Sequence, residues 1–322
     1  MKKGLLFKIS MVTCAAVCAM SVSAAAEEET TYNVGVCQLV QHVALDAATE
    51  GFQDALKEEL GEDAVNFDVQ NAAGDSATCA TIANQFVSDG VDLIMANATP
   101  ALQAVAAATA DIPILGTSVT DYATALDIDE WTGTVGGNIS GTSDLAPLDG
   151  QADMLNELFP DSETVGILFC SAEPNSYYQA DTIQGYLEDL GKTVTQYTFA
   201  DSNDIASVVT NACAENDVLY IPTDNTAASN TELIRNIVEP AGVPVICGEE
   251  GICEGCGVAA LSISYYDLGY ATGEMAAKVL AGEEDIAELP VEFAPEFTKV
   301  YNADLAEALG VEIPDDYEAI GE

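Results

Sequence analysis

Basic side chains are nearly missing from this sequence. Eight Lys and Arg stand against 54 Asp and Glu, a formal net charge of −46. Lys2, Lys3 and Lys8 fall at the very start, so only Lys57, Lys192, Arg235, Lys278 and Lys299 serve the rest of the chain. So negative a surface repels phosphodiester backbones and anionic lipid, which excludes nucleic acid as a partner. Histidine is scarcer still: His42 is the only one. There is no H-E-x-x-H, no G-x-S-x-G, no G-x-x-x-x-G-K and no G-x-G-x-x-G after the first strand. Carboxylates are everywhere but nothing singles out a pair. No catalytic residue, cofactor or metal is therefore assigned, and the chain is read as not an enzyme.

Long apolar runs are also lacking. The longest, residues 5–20, falls short of the roughly 20 residues a spanning helix needs. Lysines flank it and small residues 21–26 follow, the pattern of a cleaved signal peptide over residues 1–26. The mature chain is then extracytoplasmic. Neither Cys14 nor Cys18 ends a good Leu-x-Gly/Ala-Cys box, so a lipid anchor is left open and plain secretion preferred. Seven cysteines remain beyond the signal, an odd number that forbids complete internal pairing. Five sit in apolar contexts and read as small buried hydrophobes. Cys253 and Cys256 form a lone C-x-x-C in a Gly-rich loop, open to a local disulfide or redox role but lacking the second ligand pair a zinc site wants.

What is abundant is alternation. Short β-rich runs over residues 34–40, 65–70, 91–96 and 112–115 alternate with helical spacing over 44–60, 76–88 and 100–108. The scheme repeats with strands over 164–170, 193–199, 218–221 and 243–247, and helices over 177–190, 205–214 and 231–239. Phrases recur in order: Val34-Gly35-Val36 with Val165-Gly166-Ile167, and Ile112-Pro113-Ile114 with Val243-Pro244-Val245. This predicts an α/β fold of two similar doubly wound lobes with parallel sheets. Ligands of such sheets sit beyond the carboxyl ends of the strands, where the loops here are rich in Ser, Thr, Asn, Asp and Glu. Helix capping is the competing role for each of those residues.

Several loop phrases carry a family resemblance. They are Gln41-His42-x-Ala44-Leu45-Asp46, Gln70-Asn71-Ala72-x-Gly74-Asp75, Ala98-Thr99-Pro100-Ala101 and Thr120-Asp121. In the second half they are Gly141-Thr142-Ser143-Asp144-Leu145, Glu173-x-Asn175-Ser176, Pro222-Thr223-Asp224-Asn225, Gly248-Glu249-Glu250-Gly251 and Tyr265-Tyr266-x-Leu268-Gly269. Their order and wording resemble the tryptophan/tyrosine-type substrate-binding proteins of ABC transporters, of periplasmic-binding-protein type I fold. Glu249 where Asp is common, Tyr122 where Pro is usual and the poor lipid-attachment box are departures.

The resemblance implies a three-segment hinge crossing near Thr142, Ser262 and Val291. Lobe 1 would be residues 32–141 plus 262–290, and lobe 2 residues 142–261 plus 291–322. It implies capture of an amino acid, plausibly aromatic, by hinge closure, delivery to an ABC transporter permease, and a monomer. Thr99 and the amides at Ala101 would take the ligand carboxylate, helped by Thr120 and Ser176. Asp224 and Glu250 would accept from its ammonium, and Asn175 or Asn225 would bridge. Tyr177, Tyr265 and Tyr266 would wall the side chain, with core packing as their competing role. His42 and Asp121 complete the set of strand-end candidates. A sugar or nucleoside is the alternative ligand on the same fold, and an enzyme on a doubly wound scaffold is the alternative of another class.

Overall fold

The computed structural model describes residues 31–321. The signal peptide read over residues 1–26 lies outside them, and among the described residues no helix is long and apolar enough to cross a membrane.

The first half builds β1 (Tyr32–Gln38), α1 (Val43–Leu60), β2 (Val65–Asn71), α2 (Ser76–Asp89), β3 (Leu93–Asn97), α3 (Thr99–Ala108), β4 (Ile114–Val119), α4 (Tyr122–Ala125) and β5 (Ile139–Ser143). The second half gives α5 (Leu148–Leu158), β6 (Thr164–Cys170), α6 (Pro174–Asp189), β7 (Thr193–Phe199), α7 (Ile205–Glu215), β8 (Val218–Ile221), α8 (Asn225–Ala228), α9 (Thr231–Ala241), β9 (Val245–Cys247), α10 (Glu250–Cys256) and β10 (Ala259–Ser262). Then follow α11 (Tyr265–Leu280), β11 (Glu292–Phe293), β12 (Thr298–Tyr301), α12 (Ala303–Leu309) and β13 (Glu318–Ala319).

Strands β3, β4, β8 and β9 are buried throughout, as central strands are when both faces of a parallel sheet are covered, and their few polar members, Asn97, Thr117 and Ser118, fall at the carboxyl ends of β3 and β4. Helix starts follow side-chain capping: Asp75 accepts from the amide of Thr78 and Asp121 from that of Thr124, while Gly90 and Gly242 end α2 and α9 in the left-handed conformation. The C-x-x-C is a correction to the loop reading, because Glu249 caps this stretch into the short helix α10 and buries both thiols.

The strands form two sheets, as the alternation predicts. One runs β11-β5-β4-β3-β1-β2 and is all parallel; the other runs β13-β12-β10-β9-β8-β6-β7 and is parallel except for the β10–β12 pair. Each carries two hydrophobic clusters, one for each covered face, with Phe52 and Phe86 in the first sheet's clusters and Phe169 and Phe199 in the second's. The chain passes between the sheets three times, over residues 144–147, 263–264 and 294–297, because β5 stays in the first sheet through Ser143 and β11 joins it beside β5.

Helix α11 is returned to the first sheet and packs along α1 so closely that the two contact at backbone level. A Cβ on Gly51 would meet the carbonyl oxygen of Tyr266, and one on Gly269 that of Ala48. This seam fastens the late chain segment to the first lobe. Gly269→Leu is expected to lower stability by about 3 kcal/mol or more, since the obstructing atoms are backbone. Equilibrium denaturation checks this against Gly185→Ala, whose added methyl meets nothing within 4 Å.

Candidate functional site

The carboxyl ends of both sheets face each other. His42 follows β1, Ser118 is the last residue but one of β4, Asp144 follows β5, and Tyr265 opens α11. Opposite them stand Asn175 in the first turn of α6, Thr223 to Asn225 after β8, and Glu249 after β9. These residues, with Leu45 and Ala228, surround a cavity of about 10 Å³, space for about one water molecule.

Direct contacts hold the two walls together. His42 Nε2 lies 3.3 Å from Asn225 Oδ1, and the Thr120 and Thr223 hydroxyls lie 3.5 Å apart. Gln179 Nε2 donates to Thr120 Oγ1 at 3.4 Å and also to Thr223 Oγ1.

The electrostatics are one-sided. Asp144, Asp224 and Glu249 are all buried, and no Lys or Arg lines the space. Asp224 accepts from the amides of Cys170 and Ala227 at 2.6 and 2.7 Å and from the Ser176 hydroxyl at 2.8 Å. Glu249 accepts from the amides of Gly251 and Ile252 at 2.7 and 2.6 Å. Asp144 accepts from the hydroxyls of Thr120 and Tyr265 at 3.0 and 2.9 Å. Burial nonetheless pushes Asp224 up to about 8, with Glu173 adding repulsion. Burial also raises Glu249 to about 7 and shifts Asp144 upward from its ordinary value. His42 is lowered by burial, against the pull of Asn225 and Glu173. A buried pocket of acids lined by no Lys or Arg suits a cationic group.

Three polar atoms at this space are buried without a hydrogen-bond partner among the described residues: His42 Nδ1, Ser118 Oγ and Asn175 Oδ1. Ser118 also holds φ +54°, a left-handed conformation that is uncommon for serine and concentrates at functional sites.

Of the residues singled out in the sequence, His42, Asn175, Asp224, Asn225 and Tyr265 line the cavity. Thr120 and Ser176 touch its acids from behind. The others sit apart. Thr99 and Ala101 are buried in the first turn of α3, outside the lining, and Asp121 caps α4. Tyr177 is exposed with its ring edge-on to Phe169, and Tyr266 is an exposed side chain donating to Asp54 at 3.2 Å. Glu250 is exposed; its neighbour Glu249 turns inward as the cap of α10. Sequence reasoning passed over Leu45, Ser118, Asp144, Thr223, Ala228 and Glu249 as lining residues. An acid at the N-cap of the helix that follows a strand is the signal that marks Asp224 and Glu249 alike.

The profile of the family described as ABC transporter substrate binding protein matches residues 33–320. A tyrosine-binding protein of Clostridioides difficile is 35% identical over 282 residues, 87% of this chain and 81% of that protein. An ABC domain from Streptococcus pneumonia, solved in complex with L-Trp, superposes with a TM-score of 0.84 at 35% identity, over 89% of this chain and 97% of that one. The ligand-free, open structure of a Clostridium difficile substrate-binding protein with adhesive properties gives 0.69 at 37% identity, over 90% and 99%.

The buried acids have a consequence for stability. A carboxyl group whose folded pKa is raised binds its proton more tightly when folded. For Glu249 that contribution is complete below its ordinary value of 4.5 and is lost as pH rises toward about 7. Between pH 5 and pH 8 the ligand-free wild type should lose about 2–3 kcal/mol relative to Glu249→Gln, which has no proton to give up. Denaturation of both proteins across that range measures it.

Proposed function

The chain belongs to the family of ABC transporter substrate-binding proteins, and from that premise we propose that it captures a free aromatic amino acid between its lobes. On this reading it works outside the cytoplasm as a monomer, passes the ligand unchanged to a membrane permease, and performs no catalysis.

The observation that carries this reading is the group of three buried carboxylates whose cavity no Lys or Arg lines. An α-ammonium supplies the missing positive charge. A sugar or nucleoside brings none and would leave Asp144, Asp224 and Glu249 as they are, which weighs against that alternative. The ligand's own carboxylate has no Lys or Arg to meet, so amides and the free Ser118 hydroxyl are its natural partners, and phosphorylated solutes are disfavoured. Leu45, Ala228 and the Tyr265 ring offer the apolar contact. The relatives described as tyrosine-binding and as complexed with L-Trp support an aromatic ligand.

The lobes move as bodies, residues 32–143 with 265–293 against 148–262 with 298–320. A cavity of about 10 Å³ admits no amino acid, so the ligand enters when the walls part and is enclosed when they return. Closer agreement with the L-Trp complex than with the open, ligand-free relative supports reading the present arrangement as closed.

Calorimetry with L-tyrosine, L-tryptophan, glucose and adenosine tests the proposal. One of the two amino acids is expected to bind saturably without turnover, and the sugar and nucleoside not at all. The reverse outcome refutes it. Because an ammonium needs the carboxylates ionised, and Asp224 and Glu249 hold their protons up to about 8 and about 7 when empty, affinity should fall as pH falls. The expected loss from pH 8 to pH 6 is about tenfold or more, one decade per pH unit for each proton displaced. Asp224→Asn should weaken binding by about a hundredfold, the cost of one charged hydrogen-bond partner.

A further inference from the structure

His42 is the only histidine in the chain and the only base-forming side chain that lines the cavity. Its ring state follows from a residue on the other lobe. Glu173, buried just before α6, accepts from the Asn225 amide nitrogen at 3.0 Å and its side-chain Nδ2 at 2.7 Å. It also accepts from the Thr226 amide at 2.9 Å and hydroxyl at 2.7 Å. With Asn175 Nδ2 at 3.4 Å, five donors converge on the two oxygens of Glu173, an arrangement that suits a carboxylate acting as acceptor only. The Asn225 side chain therefore cannot turn over: Nδ2 must face Glu173, and Oδ1 is left toward His42 Nε2. An acceptor there requires Nε2 to carry the proton. In a neutral ring Nδ1 is then a bare lone pair, and this is the atom found buried and unpartnered at the cavity.

We propose that Glu173, acting through Asn225, fixes His42 as the Nε2–H tautomer, so that Nδ1 accepts a hydrogen bond from the ligand's ring and selects a phenol or indole over a phenyl group. The inference rests on the amino-acid reading above. The ammonium already has charged partners in Asp144, Asp224 and Glu249, and every amino acid carries it, so those acids do not discriminate. A neutral acceptor sealed in the same space does discriminate, because a ligand without a donor leaves it unpaired. Asn175 Oδ1 and the Ser118 hydroxyl are the other unpaired acceptors at the cavity; Asn175 donates to the Thr223 carbonyl at 2.9 Å and to Glu173 at 3.4 Å, and Asn225→Leu, which leaves both Glu173 and Asn175 in place, separates their part from that of His42.

A single histidine makes the test direct. Protein labelled with nitrogen-15 histidine gives one imidazole, whose long-range nitrogen–proton spectrum distinguishes the tautomers. At pH 7 with L-tyrosine or L-tryptophan present, the Nε2–H form is expected in the wild type and a mixture in Glu173→Gln. An Nδ1–H form or an imidazolium in the wild type overturns the proposal. In calorimetry L-tyrosine or L-tryptophan should bind about tenfold or more tighter than L-phenylalanine, and Glu173→Gln should shrink that ratio. Equal affinity for L-phenylalanine in the wild type, or an unchanged ratio in a variant whose tautomer has shifted, overturns the ring assignment. Where Glu173→Gln folds poorly, Asn225→Leu removes the same acceptor and leaves Thr226 bonded to Glu173. If none of the three amino acids binds, the amino-acid reading fails and the ring assignment with it, while the spectrum of the ligand-free protein still decides the tautomer.

Discussion

Asp144, Asp224 and Glu249 share one closed space without a lysine or arginine, and the surrounding structure is arranged around that imbalance. Each acid is held by fixed donors: amides at the starts of α8 and α10 for Asp224 and Glu249, hydroxyls from Thr120 and Tyr265 for Asp144. Those donors place the carboxyl groups but do not cancel their charge, as the upward shift of all three shows. Burying charge without a partner is costly, and a protein that does so at a junction between two lobes has a place where a cation is stabilising.

Location turns this into a device. Asp144 lies on the first passage between the sheets, Asp224 and Glu249 on the far wall, and Tyr265 where α11 begins just after the second passage. A ligand that meets Asp144 and Asp224 together touches both lobes. The polar contacts now spanning the cleft, His42 with Asn225, Thr120 with Thr223 and Gln179 with Thr120, are few and long, at 3.3, 3.5 and 3.4 Å. Contacts of that kind contribute little by themselves, so closure depends on what is enclosed. The α1–α11 seam, by contrast, is packed at backbone distance and keeps the first lobe a single body even though its chain is discontinuous.

Much of the fold was legible because its signals are local and redundant. Apolar runs such as residues 93–96 and 218–221 have no polar face, which only a strand buried on both sides tolerates, and the glycines after residues 89 and 241 mark helix ends by conformation. The site was half legible for a geometric reason. Strand-end loops can be found from pattern, but which side chain points inward depends on where the next helix starts, and one residue turns the direction by about 100°. Hence Glu249 faces the cavity and Glu250 faces solvent, Tyr265 lines it and Tyr266 bonds Asp54 on the surface. Asp144 was hidden differently: it lies on a passage between sheets, which no single strand–helix unit reveals. The inward Tyr265 combines both roles weighed for it, since its ring is buried beside Ala48 and Leu268 and its hydroxyl serves Asp144.

On binding, a cationic ligand group is expected to take over from protons on the buried acids. Calorimetric titration of L-tyrosine or L-tryptophan at pH 7 in buffers of different ionisation enthalpy counts the protons exchanged on binding. Net release of protons to the buffer is expected, shrinking above pH 8 once Asp224 is ionised in the empty protein. Net uptake, or no exchange at any pH between 6 and 8, would contradict it.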